Sequence, residues 1–282
     1  AGDGERARVL FEEALQIARA NPGRDPWAEA RALVALAMYE SEVGGEEVAF
    51  GLASEALAIA EAARDRFSIA VARESVGGTL RRMMRLEEAD IHLTGAVDGF
   101  RELGARWELA SALTSRGIVR RLAGRGEEAV RDLQEAYRIC VELKERSIIT
   151  WTASALARAL IAAGDPGAAR RVLTDTAPLA NADGPAPGGW LDEAEVEILL
   201  VEGEREQALE KALDVLQRER ESGSDKDVAA RVWWISEVFG ADAAGGVEEV
   251  ARARELLERL HAVQALQAPS SWHAAPSVDR SV

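Results

Sequence analysis

Apolar residues along this chain recur three and four apart, as in Ala89–Leu93–Ala96 and Ala129–Leu133–Ala136. That spacing places them on one face of an α-helix. No stretch alternates convincingly with the period of two that a half-buried strand needs. The pattern breaks at glycine and proline. Gly44-Gly45, Gly104, Gly124 with Gly126, Gly164, Gly203 and Gly245-Gly246 separate segments of about 15–20 residues, an ordinary helix length. Pro22 and Pro26 stand early, Pro166 opens the next cluster, and no proline lies between them. Proline interrupts helix interiors, so this gap admits helix after helix. The segments predict helices at 5–20, 26–43, 46–63, 66–84, 86–103, 106–124, 126–144, 146–163, 166–180, 188–202, 204–221, 225–239 and 246–264. Residues 181–189, rich in glycine and proline, read as a loop, and the Ser/Pro-rich stretch from about Ala268 reads as a loose tail.

The segments repeat. A turn, one or two acidic residues and a small apolar residue recur with the last member at 7, 48, 89, 129, 169, 208 and 250, spaced 41, 41, 40, 40, 39 and 42. The copy at Pro166–Ala169 lacks the acid. Gly77, Gly117 and Ala157 stand twelve residues before Ala89, Ala129 and Ala169, and an aromatic opens the preceding helix at Trp27, Phe67 and Trp107. The physical reason is packing: two antiparallel helices that approach closely need a small residue where their backbones cross. Carboxylates at the start of each second helix complement its dipole.

These positions resemble the tetratricopeptide repeat, through Gly77, Gly117 and Ala157 in the first helices and the two Ala–Leu–Ala sets in the second. The resemblance spans roughly residues 4–264, with a period longer than the family's usual ~34. It is similar to the long-period arrays of kinesin light chains, Pins-type scaffolds and bacterial signal-transduction sensors. It implies an all-α fold, a right-handed α-α superhelix (a tetratricopeptide-like solenoid) of about six and a half helix pairs, with residues 1–264 as the array and 265–282 as the tail. First helices would line a concave groove whose facing positions are Glu74, Arg81, Ser111, Thr114, Arg121, Trp151, Ser154 and Arg158. The Lys/Asn carboxylate clamp of chaperone-binding members has no counterpart, since Glu74, Thr114 and Ile118 stand there.

Charge and chemistry narrow the picture. The chain has 282 residues, 34 basic and 49 acidic, for a net charge of -15. A phosphate backbone calls for a basic face, so no nucleic-acid partner is expected. No apolar run approaches the ~20 residues of a membrane span. Arg81, Arg82 and Arg85, then Arg120, Arg121 and Arg125, cluster at two first-helix ends. They either complement helix C-termini or fork onto an acidic ligand. Residues 190–227 carry 13 acidic and 5 basic residues, read as solvated faces or as a contact for a basic partner. Trp151 either fills core or anchors a partner, and of Trp233-Trp234 one is expected in the core and one semi-exposed.

Catalytic chemistry is not written in the chain. His92, His261 and His273 lack partners at metal-ligand spacing, so no metal or cofactor is expected. Cys140 reads as a small core hydrophobe, and a single cysteine fits a cytoplasmic setting. No phosphate loop or nucleophile elbow is present. The expectation is a non-catalytic interaction scaffold that takes a protein or peptide, with acidic groups, in its groove. The alternative is a regulatory or ligand-sensing module of a larger bacterial signalling protein, whose partner is another domain of the same parent. Ala1 in place of an initiator methionine suggests a fragment or processed chain, and the Ala/Arg/Gly-rich composition a bacterial source.

Overall fold

Helix-forming composition and regular punctuation give helices throughout the computed structural model of the chain. The structure describes residues 2–20, 25–43, 45–144, 146–180, 190–222 and 225–259. Among them are thirteen α-helices: α1 Gly2–Ala20, α2 Pro26–Glu42, α3 Glu46–Ala63, α4 Arg66–Arg82, α5 Leu86–Leu103, α6 Arg106–Leu122, α7 Gly126–Leu143, α8 Arg146–Ala162, α9 Pro166–Ala180, α10 Trp190–Val201, α11 Arg205–Ser222, α12 Asp225–Phe239 and α13 Val247–Arg259. One helical turn of the 3-10 type, Ala241–Ala244, lies before α13 and has no counterpart in the expected pattern. The expected loop at 181–189 and tail at 265–282, with His261 and His273, lie outside the described residues. No described helix is long and apolar enough to cross a membrane.

The turns explain the period. Residues with left-handed backbone recur about every twenty positions, at Arg64, Met84, Gly104, Gly124, Lys144 and Gly164, and again at Gly203. The amide of the following residue closes the helix onto the carbonyl five back, as in Asp65 to Ala60 (3.1 Å), Arg125 to Arg120 (2.8 Å) and Glu204 to Leu199 (2.8 Å). This is the Schellman closure, which glycine adopts most cheaply. Helix starts are fixed by side chains: Asp25 accepts from the Trp27 amide (3.0 Å), and Asp65 from the Phe67 amide (3.1 Å) and Ser68 Oγ (2.6 Å).

The chain divides into two compact units, Ala1–Val119 and Arg120–Val282. In the first, α1 packs on α2, α2 on α3, α3 on α4 and α4 on α5, and the first helices α2 and α4 also touch. In the second, α7 packs on α8, α8 on α9, α10 on α11, α11 on α12 and α12 on α13, and the first helices α8 and α10 touch. Ala37, Ala49, Ala53, Val76, Leu80, Ala89, Leu93 and Val119 form one core of the first unit. Gly77 shows why the register demands a small residue: a Cβ there would stand 2.6 Å from Leu93 Cγ and 3.2 Å from the Ala89 carbonyl oxygen.

The second repeat corrects the sequence register. Val48, taken as its small crossing residue, is 54% exposed, whereas the next residue, Ala49, is fully buried. Counted from Ala49, the buried alanines Ala49, Ala89, Ala129, Ala169 and Ala208 are spaced close to forty throughout. The slip arose because Gly44-Gly45 and two glutamates blur where α3 begins.

Candidate functional site

In each unit the first helices stand side by side, so residues one repeat apart fall in rows across a shared face. One register position is held by Glu74 and Thr114 in the first unit, on α4 and α6, and by Ser154 and Glu193 in the second, on α8 and α10. The surroundings of Glu74 and Glu193 differ in chemistry, and each belongs to its own unit.

In the first unit, Glu74 is half-buried and its carboxyl is deeply set. Ser111 Oγ on α6 donates to Glu74 Oε1 at 2.6 Å. Burial pushes the carboxyl up to about 7; the Ser111 hydrogen bond opposes this and the charge of Glu108 adds to it. One turn further along α4, the position of a Cβ on Gly78 has nothing within 4 Å. On the neighbouring α2, one repeat earlier, Met38 is 63% exposed, and Ile118 is half-buried one repeat later. Thr114 is fully buried, its hydroxyl turned back to the Ala110 carbonyl at 2.8 Å. Arg81 is half-buried, Arg82 pairs with Glu42, and Arg85 forks onto Glu88 at 2.8 and 2.7 Å.

In the second unit the charges compensate one another. Arg158 Nη2 lies 2.6 Å from Glu197 Oε1 and 3.4 Å from Glu193 Oε2. Arg231 on α12, only 5% exposed, pairs with Glu193 and, at 2.9 Å, with Glu219. Burial alone would raise the Glu193 carboxyl, but Arg231 and Arg158 outweigh it and hold it below its ordinary value. Burial likewise works against the Arg231 cation, yet Glu193 and Glu219 leave its pKa raised. Arg121 is lowered to about 10, first by burial and then by the nearby Arg158 cation, with Glu197 opposing. Trp151 is half-buried and Ser154 buried, so Thr114 and Ser154 act as floor rather than as exposed contacts.

Residues outside the rows clarify the charge reading. Arg120 donates to buried Asp132 at 2.9 Å. Much of the acidic stretch from 190 is paired, as Asp192 with Lys211 (3.1 Å) and Arg218 (2.8 Å), and Glu195 with Lys211 (2.5 Å). Trp234 is buried with its ring edge-on to Phe239 at 6.2 Å, while half-buried Trp233 lies under Arg254 at 5.6 Å. Cys140 is buried, 3.8 Å from Thr152 Oγ1. Sequence reasoning missed Glu193, Glu197 and Arg231. The signal was available: Arg158 with Glu193 and Glu197, and Arg231 with Glu193, stand 35 to 39 positions apart, about one repeat.

The helix-pair register and its buried small residues define an all-α repeat protein of the solenoid class. A family model for the tetratricopeptide repeat matches residues 108–182. No curated protein matches its sequence. Solved structures share the fold. The Rap conjugation gene regulator of the plasmid pLS20, in complex with the Phr* peptide, is 19% identical with a TM-score of 0.69, over 92% of this chain and 70% of that one. The apo form of RapI is 15% identical with a TM-score of 0.67, over 92% and 94%. A Rap protein complexed with competence and sporulation factor is 16% identical with a TM-score of 0.60, over 91% and 73%.

Proposed function

We propose that this protein is a non-catalytic scaffold that holds a peptide or protein segment against the faces built by its first helices. The observation that carries the reading is the side-by-side packing of first helices in each unit, α2 with α4 and α8 with α10. It gives each unit a continuous face where polar, charged and aromatic side chains meet. The family-model match and the Rap neighbours solved with the Phr* peptide and with competence and sporulation factor support it. Glu74, Arg81 and Ser111 are the contacts of the first unit, over the Thr114 floor. Arg121, Trp151 and Arg158 are those of the second, over Ser154. A preference for acidic groups would rest on the arginines of these faces, of which Arg158 already faces Glu193 and Glu197. The same reading places the protein in a bacterial cytoplasm.

The Rap neighbours, one of them a gene regulator in complex with its peptide, favour a second form of this reading: a peptide-responsive regulatory module in a signalling protein. Site-specific photocrosslinking tests both forms. Benzoylphenylalanine at Met38 or Trp151 should capture a partner from the source cells, and the same group at outward Ile91, which is 71% exposed, should not. Capture from Ile91 alone would move the interface to the outer face and sink the proposal.

A further inference from the structure

Glu74 is anomalous for a deeply set carboxyl. Among the described residues its recorded partner is one neutral hydroxyl, Ser111 Oγ at 2.6 Å, and the charge acting on it is a second carboxylate, Glu108. Glu193, at the same register position three repeats on, shows what this fold does when it compensates such a group: it supplies Arg231 and Arg158. A buried carboxylate without a cation is costly, and a cation brought to it gains both charge pairing and hydrogen bonds. Space for one is present. The face one turn from Glu74 is open over Gly78, where an added Cβ would meet nothing within 4 Å. Apolar residues hold the register positions one repeat before and after Gly78: Met38, 63% exposed on α2, and half-buried Ile118 on α6. A carboxylate beside an open face with apolar residues at the adjacent register positions suits a long cationic side chain, whose methylene stem covers apolar surface while its head reaches the charge.

We propose that Glu74 is the anchor for a lysine or arginine side chain of an extended peptide, whose stem lies over Gly78 between Met38 and Ile118. The assignment rests on the peptide-binding reading above and specifies its ligand for the first unit. It runs against the acidic preference suggested by the arginines in the sequence, because those near this face have carboxylate neighbours of their own, Arg82 with Glu42 and Arg85 with Glu88. Burial first, and then the charge of Glu108, weakens the hold of Glu74 on its negative charge, with the Ser111 hydrogen bond opposing.

The experiment uses the full chain, immobilised, and a library of N-acetylated, C-amidated nonapeptides randomised at every position, so that side chains carry the only cations. At pH 8 the retained pool should be enriched at least threefold in Lys or Arg at one position over the input. Glu74→Gln, which keeps the size and the Ser111 contact, should weaken the best retained peptide about tenfold. Gly78→Leu, which fills the open face without touching the carboxyl, should weaken it as much, and circular dichroism should show both variants as helical as the parent. A retained pool with no basic position, or a Glu74→Gln variant within twofold of the parent, would overturn this assignment while leaving peptide binding in place. No retained peptides at all would overturn both.

Discussion

Glu74 and Glu193 hold the same register position of the repeat, one in each compact unit, and their surroundings treat them oppositely. Glu193 is held ionised by Arg231 and Arg158; Glu74 meets a hydroxyl and a like charge and is pushed up to about 7. Their register position in the repeat is the same, so the repeat pattern alone does not set their chemistry. What differs is the residue one repeat away: Arg231 stands 38 positions after Glu193, and Ser111 stands 37 after Glu74. A repeat scaffold thus writes its sites in the neighbour from the next unit of sequence. A compensated position is a structural strut, and an uncompensated one leaves a carboxyl that its neighbours do not neutralise.

The strut should be the easier to break. Arg231→Ala removes the one cation that joins Glu193 on α10 to Glu219 on α11 and leaves both carboxylates without it. Breaking a buried pair from one side costs about 3–5 kcal/mol. We expect a loss of that size in urea unfolding, with hydrogen exchange quickening in α10 and α12. A loss under 1 kcal/mol would mean the network is solvated and the contrast between the rows is unreal.

Acidity separates the two carboxyls more finely. Glu193 has its pKa lowered from the ordinary 4.5, so its stabilisation is present above 4.5 and is lost as pH falls through its folded value. Glu193→Gln should therefore cost about 2 kcal/mol at pH 7 and progressively less below pH 4.5. Glu74 is raised from 4.5 to about 7, so the folded state holds its proton longer than the unfolded state. Its ionisation destabilises the fold as pH rises from 4.5 to 7, and the penalty is complete above that. Glu74→Gln should stabilise the protein by about 1–2 kcal/mol at pH 8, after discounting for partial exposure, and leave it unchanged at pH 4. Parallel pH profiles for the two variants would erase the distinction.

The helices were legible because their signals are local. Spacing of apolar residues, glycine punctuation and acidic helix starts fixed thirteen segments within a few residues of the observed ends. The turns at Arg64, Met84 and Lys144 were not legible, since these side chains adopt a left-handed backbone that only tertiary packing imposes. The groove rows were legible as positions but not as chemistry. Nothing local to Arg158 announces Glu197, and nothing local to Glu74 announces Ser111; both are visible only when the forty-residue period is used as a contact map. The same period, applied from Val48, misplaced one crossing residue by a single step, because an error of one residue turns a helix by about 100°.

The gentlest test concerns Ser111, the neutral partner that distinguishes the open row from the strut. Its hydroxyl opposes the rise in the Glu74 pKa, so Ser111→Ala should raise that pKa above 7. The bond is strongest to the ionised carboxylate, so its loss should destabilise the fold by about 1 kcal/mol at pH 8 and by less at pH 5, where Glu74 is protonated. In the Glu74→Gln background the same change should give a smaller, pH-independent loss, because no ionisation remains to be coupled. A double-mutant cycle in urea at the two pH values reads this directly. Equal coupling at both would mean that Ser111 holds Glu74 by packing alone, and that the row is open because of its shape rather than its charge.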